Sequence, residues 1–187
     1  MRRLFWQMNV TLDGFMEGPN RELDHTAQFA DPDFDRYASE MLQSIDGMLL
    51  GRVTYQLFAG YWPSATGQDA DRMNQLPKIV FSRTLKQVDW NNSRLVAGNV
   101  AEEISRLKQE SGRDLALFGS ADLAATLIRL GLIDEYRILV TPVVLGAGTP
   151  MFKDIESPLN LKLSKATTWS SGIVASWYRP AQMKKGK

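Results

Sequence analysis

The sequence predicts an α/β fold: a mostly parallel mixed sheet, helices over both of its faces, and an antiparallel hairpin at the C-terminal end. Three observations carry this. Apolar runs of strand length alternate with stretches of helical spacing along most of the chain. The runs "MLL", "KIVF" and "LALF" are apolar without alternation, as in strands covered on both faces. The last two strand-like segments are separated only by Ser171-Gly172, which suits a hairpin turn.

Taken in order, "RLFWQMNVTLDGF" begins as a strand that Asp13-Gly14 breaks, and "MEGPNRELDHTAQFA" is loop-like. "DPDFDRYASEMLQSID" is a helix with Asp31 at the N-cap, Pro32 at N1 and Asp33 in the first turn against the dipole. Phe34, Tyr37, Ala38, Met41, Leu42 and Ile45 form its buried face, and Asp46-Gly47 ends it. "MLL" is a short strand and "RVTYQLFAGYW" a short helix, followed by a loop and helix from Thr66 to Gln75. "KIVFS" and "RLVAG" are strands, and "NVAEEISRLKQES" is a helix closed by Gly112. "DLALFG" is a strand. "SADLAATLIRLG" is a helix with Ala121, Leu123, Ala124, Leu127 and Ile128 inward. "IDEYRILVTPVV" is a strand, and "NLKLSKATTWS" with "IVASWYRP" makes the hairpin. Residues 1–180 read as a single domain and 181–187 as a frayed polar tail.

Composition narrows the chemistry. The chain has 187 residues and 44% hydrophobic content, enough for one sizeable core and too little for two. With 22 basic and 21 acidic residues, no broad charge recruits nucleic acid or an anionic membrane. No apolar run approaches a membrane span, no signal-peptide core is present, and a cytoplasmic protein is expected. There is no cysteine, which excludes thiolate nucleophiles and thiolate metal sites. The single histidine, His25, argues against a histidine metal cluster or a serine–histidine triad, so no metal site is expected. An enzyme with so few reactive side chains would draw its chemistry from a bound cofactor.

Three strand-to-helix junctions carry groups suited to anions: Gly51-Arg52-Val53-Thr54, Ser82-Arg83-Thr84 and Gly119-Ser120-Ala121. A helix entered through Gly-Arg-x-Thr offers unpaired amides, a guanidinium and a hydroxyl at one point. Ligands of open α/β sheets bind at the carboxyl ends of strands, so neighbouring strands would bring the three junctions into one crevice. Together they describe a long, multiply charged anion such as a dinucleotide. Each alone has a plainer reading: Gly51 as a turn, Arg52 as a solvated cation, Ser82 as a cap. The G-x-G-x-x-G fingerprint is absent, so the dinucleotide fold is a different one.

The blocks "MNVTLDGF", "LLGRVTYQLF", "KIVFSRTL" and "LFGSADLAATLIRLGLIDEYRILVTPVVLGAGTPMF", in that order, resemble the dihydrofolate reductase-like superfamily, and most closely the RibD C-terminal domain family. The resemblance spans nearly the whole chain. It implies a three-layer α/β/α fold of dihydrofolate reductase type. It also implies an NADPH-dependent reductase, akin to dihydrofolate reductase and to the 5-amino-6-(5-phosphoribosylamino)uracil reductase of riboflavin biosynthesis. By motif match, Arg52 and Thr54, after Gly51, would hold cofactor phosphates. Ser82, Arg83 and Thr84 would receive the adenosine 2′-phosphate. The Gly119-Ser120 turn, with the helix start Ala121-Asp122-Leu123, would meet the pyrophosphate. Asn9 and Asp13, in the first block, would border the nicotinamide, and Gly146 and Gly148 would shape a turn at the cofactor edge. Relatives of this fold commonly pair, so a homodimer is expected by analogy.

Two departures matter. The family usually has two glycines where this chain has Gly119-Ser120, and a serine argues against a strained backbone there. The riboflavin reductases carry an Asn/Asp-Pro-x-Leu-Thr-x-Arg stretch that grips a ribosyl phosphate. Here the region reads "YQLFAGYWPSATG", with aromatics and no arginine. Tyr55 and Trp62 therefore point to a flatter, less charged substrate, unless these rings are core. True dihydrofolate reductases use a carboxylate of the helix before the Gly-Arg turn as proton source. Asp35, at the border of the apolar face, is the candidate here; the alternative is that Asp31, Asp33 and Asp35 only support the helix N-terminus. His25 lies in the preceding loop and either lines the pocket or is solvated. Two functions stay open: an NADPH-dependent reductase of a small planar heterocyclic or carbonyl substrate, and a non-catalytic nucleotide-binding module.

Overall fold

The computed structural model describes residues 1–23, 25 and 31–181. The tail expected to fray, beyond Ala181, lies outside the described residues, as does most of the loop around His25.

An eight-stranded sheet runs in the order β5-β4-β3-β6-β1-β7-β10-β9. Its strands are β1 (Leu4–Thr11), β3 (Ile45–Gly51), β4 (Lys78–Phe81), β5 (Ser93–Val96), β6 (Asp114–Phe118), β7 (Glu135–Thr141), β9 (Leu161–Thr168) and β10 (Val174–Pro180). The neighbouring pairs from β5 through β7 are all parallel, and β10 runs antiparallel to both β7 and β9. The helices are α1 (Pro32–Ser44), α2 (Arg52–Ala59), α3 (Gln68–Gln75), α4 (Val100–Gln109) and α5 (Ala121–Arg129). This is the mostly parallel α/β sheet, with an antiparallel C-terminal hairpin, that the sequence predicts.

The period-2 geometry of strands explains the three layers. Leu4, Trp6, Met8 and Val10 of β1 join Leu49, Leu115 and Leu117 on one face, covered by Ile104 and Leu107 of α4 and Leu123, Ala124 and Leu127 of α5. Phe5, Met48, Leu50, Val80 and Ala116 face the other way, against Met41 and Leu42 of α1, Tyr55 of α2 and Met73 of α3. At about 25 cal/mol per Å² of apolar surface, these two cores supply the main stabilisation of the fold.

Asp31 caps α1 as expected, accepting from the Asp33 amide at 2.7 Å. Its second oxygen accepts from the Ser171 amide at 2.9 Å, which ties the helix start to the turn of the β9–β10 hairpin. Two boundaries differ from the sequence reading. Ile45 opens β3 instead of closing α1, because its side chain completes the core under the sheet once the chain turns extended. The segments Phe15–Glu17 (β2) and Thr149–Pro150 (β8) pair with each other, a ladder too short to leave a periodic signal.

Candidate functional site

The carboxyl ends of β5, β4, β3, β6 and β1 open into a cleft of about 960 Å³. The β3/β4 register sets Gly51 beside Phe81, and the β1/β6 register sets Gln7 beside Phe118. The three junctions singled out in the sequence therefore meet. Gly51, Arg52 and Thr54, Ser82, Arg83 and Thr84, and Gly119, Ser120, Ala121, Asp122 and Leu123 all line this cleft, as does Asn9.

Two of the junctions are bonded to each other. Ser120 Oγ accepts from the Gly51 amide at 2.8 Å, while Ser120 N and Oγ lie 3.2 and 3.0 Å from Thr54 Oγ1. A Cβ on Gly119 would meet Thr54 Oγ1 at 2.9 Å, so only glycine fits that approach. Trp6 Nε1 donates to the Gly119 carbonyl at 2.7 Å from below. Ser120 adopts φ +60° and ψ +49°, so the left-handed turn forms despite its side chain. This corrects the expectation from the sequence: three hydroxyl contacts, the third to Phe118 O at 2.8 Å, hold the strained residue in place. Neither α2 nor α5 has a side-chain cap on its N-terminus. Both offer unpaired amides and the positive end of the dipole to the cleft.

The charge is one-sided. Arg21, Arg52, Arg83, Arg129 and Lys153 line the cleft against the carboxylates of Glu17 and Asp122. Asp122 pairs with Lys153, and Glu17 accepts from Thr149 Oγ1 at 2.8 Å. Ser82 Oγ accepts from the Thr84 and Leu85 amides at 3.2 and 3.0 Å, which curls the start of the β4–β5 loop and leaves Arg83 exposed on it. A donor set of this kind, with the tight Gly119 approach, fits a phosphate-bearing dinucleotide. Among the described residues no cluster of His, Asp or Glu could hold a metal ion, and no helix is long and apolar enough to cross a membrane.

Several expected residues lie elsewhere. Asp35 is exposed on α1 and does not line the cleft; it sits past the edge of the buried stripe formed by Met41 and Leu42. Tyr55 is buried under the sheet, where its hydroxyl accepts from the Asp89 and Trp90 amides at 2.9 and 3.0 Å. Trp62 packs edge-on against Phe58 and Tyr61 and is not in the cleft wall. The helical period turns Leu57 and Phe58 to the cleft instead. Asp13 is exposed outside the cleft, holding the Gly146 amide at 2.8 Å and the Thr11 hydroxyl at 2.6 Å; the Thr11 bond is the first cause of its carboxyl lying below the ordinary range. Gly146, at φ +75°, makes the turn that Asp13 secures. His25 is buried, at 3% exposure, and is neither solvated nor in the cleft wall.

Three features of the wall escaped the sequence reading. The turn Val96-Ala97-Gly98 after β5 adds a fourth junction, Arg129 and Lys153 add charge, and Gln7 joins Asn9 on the floor. Gln7 and Asn9 are polar and two apart within the apolar body of β1, which ends in Thr11. That spacing is a legible signal.

A mixed sheet of this order, with the cleft at the carboxyl ends of its parallel strands, defines a dihydrofolate reductase-like fold. The chain belongs to the RibD C-terminal domain family, whose match runs over residues 2–175. It is 38% identical over 182 residues to the uncharacterized protein YyaP of Bacillus subtilis (strain 168), covering 95% of this chain and 94% of that one. Among solved structures it is similar to a putative riboflavin biosynthesis protein from Shewanella sp. PV-4. The TM-score is 0.80 at 22% identity, over 97% of this chain and 100% of that one. It is also similar to dihydrofolate reductase from Enterococcus faecalis complexed with NADP(H), with TM-score 0.63, 14% identity and coverage of 96% and 97%.

Proposed function

We propose that this chain is an NADPH-dependent reductase that transfers a hydride to a small planar heterocyclic or carbonyl substrate. The observation that carries the reading is the convergence on one cationic cleft of two strand-to-helix junctions, whose uncapped helix N-termini open into it, and of the Ser82-Arg83-Thr84 turn, which lies between β4 and β5 and not before a helix as the sequence suggested. The similarity to a dihydrofolate reductase complexed with NADP(H) supports the choice of cofactor. Bound NADPH would supply the hydride; the chain supplies position and charge. Gly51, Thr54, Gly119 and Ser120 form the central anion cradle. Ser82, Arg83 and Thr84 form a separate site suited to the 2′-phosphate, with Arg83 as its charge. Leu57, Phe58 and Phe118 give the other end an apolar wall against which a flat ring stacks.

Titration with NADPH and with NADH, followed by nicotinamide fluorescence, tests this. NADPH should bind more tightly, and Arg83→Ala should cost NADPH about tenfold while leaving NADH within about twofold, because only NADPH carries the 2′-phosphate. Loss of both nucleotides in the wild type sinks the reading.

A second reading is a non-catalytic NADPH-binding module, acting as a regulatory homodimer. One observation favours it: α1 delivers no carboxylate to the cleft, since Asp35 faces solvent. Both readings require NADPH binding. Only the reductase consumes NADPH when dihydrofolate, a pterin or the riboflavin pyrimidine is added.

A further inference from the structure

The floor of the cleft is made by β1, and β1 is polar on one face only. Phe5, Gln7 and Asn9 point toward α1 and the neighbouring β7, whereas Trp6 and Met8 point into the opposite core. Gln7 is 7% exposed and still lines the cleft with Asn9. A buried amide must be satisfied on both its oxygen and its nitrogen. The Tyr37 hydroxyl, from α1, donates to Gln7 Oε1 at 2.5 Å, and Gln7 Nε2 donates to Asn9 Oδ1 at 3.4 Å.

The direction of this chain is set at its far end. Arg137 lies opposite Gln7 in the β1/β7 register, and its guanidinium charge acts on the Tyr37 hydroxyl, favouring a negative oxygen there. Arg137 is itself held by Glu135, Nε to Oε1 at 2.7 Å, and lies 3.5 Å over the Phe5 ring. A guanidinium has donors only. A cation with donors only favours a hydroxyl whose oxygen faces it and whose proton points away, and the Tyr37 proton goes to Gln7 Oε1 at 2.5 Å. That turns the Gln7 nitrogen to Asn9, which must accept on Oδ1. What remains at the end of the line is Asn9 Nδ2, a donor. Burial pushes the Tyr37 hydroxyl up to about 12, so its proton is present across the neutral range.

We propose that Tyr37, anchored by Arg137, fixes the amides of Gln7 and Asn9 so that the cleft floor presents N–H donors, and that the site takes a ring whose facing edge is an acceptor, a carbonyl oxygen or an unprotonated ring nitrogen. Tyr37 and Gln7 are positioning residues; Asn9 makes the contact. Without the tyrosine hydroxyl, either amide can rotate and the floor reads donors and acceptors alike. The ligand identity rests on the dinucleotide reading above, but the polarity of the chain does not.

Two measurements on the full-length protein separate these. In the nucleotide-free protein labelled with ¹³C,¹⁵N-glutamine, Tyr37→Phe should move the Gln7 Cδ carbonyl resonance upfield, as a carbonyl that has lost a donor. If the Nε2 resonance moves and Cδ stays, or if neither moves, the proposed polarity is overturned. In the second measurement, NADP⁺ is compared with its 3-acetylpyridine analogue, which keeps the carbonyl acceptor and lacks the amide donor. Their ring charges are the same. The wild type should bind the two within about threefold, and Asn9→Asp, which offers acceptors only, should weaken the analogue about tenfold more than NADP⁺. A wild-type preference of about tenfold or more for NADP⁺ would show that the floor reads the amide N–H₂ and would overturn the proposal. If neither nucleotide binds, the dinucleotide reading fails while the carbonyl resonance still decides the polarity.

Discussion

Ser120 is the position where the cradle can be taken apart most cleanly, because its side chain and its backbone work against each other. Its Oγ accepts from the Gly51 amide and contacts Thr54 Oγ1 and Phe118 O, all within 2.8–3.0 Å. Its backbone is left-handed at φ +60°. Ser120→Ala removes the oxygen and keeps the conformation. The Gly51 amide loses its acceptor, which costs about 1–3 kcal/mol when no partner replaces it, and the half-buried site places the expected loss near 2 kcal/mol. Ser120→Gly removes the same bonds but relieves the backbone. A left-handed residue with a Cβ costs about 1–2 kcal/mol, and glycine returns about 0.4–1 kcal/mol of that through the entropy of the unfolded chain. The glycine variant should therefore be the more stable of the two by about 1 kcal/mol. For a chain of this size that is roughly 2–4 °C in Tm. Urea unfolding followed by tryptophan fluorescence reads the difference directly. An alanine variant as stable as the glycine variant would refute the reasoning, since it would mean that the left-handed turn carries no cost for the hydroxyl to offset.

Lys78 is 0% exposed and donates to the carbonyls of Asn74, Leu76 and Asn91 at 2.8–2.9 Å, with its ammonium 4.2 Å from the Trp90 ring centroid. Lys78→Met keeps the stem and strands three carbonyls, so unfolding free energy should fall by about 3 kcal/mol or more; a loss under about 1 kcal/mol would count against the network. Asp31 lies below its ordinary value of 3.8, first because of its bond with Ser171. A depressed carboxyl contributes stability above its unfolded value and loses it as pH falls through the folded one. The wild type should therefore be more stable than Asp31→Asn at neutral pH, with the gap closing only below pH 3.8; a gap indifferent to pH would exclude the linkage. Asp35→Asn should leave stability within about 0.5 kcal/mol and nucleotide affinity unchanged, because the side chain is exposed and outside the cleft. A marked loss of affinity would return Asp35 to the site.

The sequence by itself determined the order and type of the longer elements, because those depend on local patterns; the short β2 and β8 left none. The uninterrupted apolar runs of β3, β4 and β6 require cover on both faces, and Ser171-Gly172 closes a hairpin by turn chemistry, with Gly172 at φ +85°. Asp31 caps its helix with its own side chain. The anion cradle was legible for the same reason: Gly-Arg-x-Thr and Gly-Ser-Ala stand at strand-to-helix junctions, and such junctions in a parallel sheet share one edge. Helical spacing, however, says which residues share a face and not what that face meets. It placed Asp35 near the pocket and Tyr55 in the substrate wall; the packing of α1 and α2 on the sheet sends one to solvent and the other beneath β4 and the turn before β5. The Ser120 backbone ran against its residue type, because the hydroxyl's partners, Gly51 and Thr54, lie 69 and 66 positions away. The line from Arg137 through Tyr37 to Gln7 depends on β1 lying next to β7 and beneath α1. No local pattern encodes that adjacency. It follows from the strand order, which is settled by how the whole sheet buries its two faces.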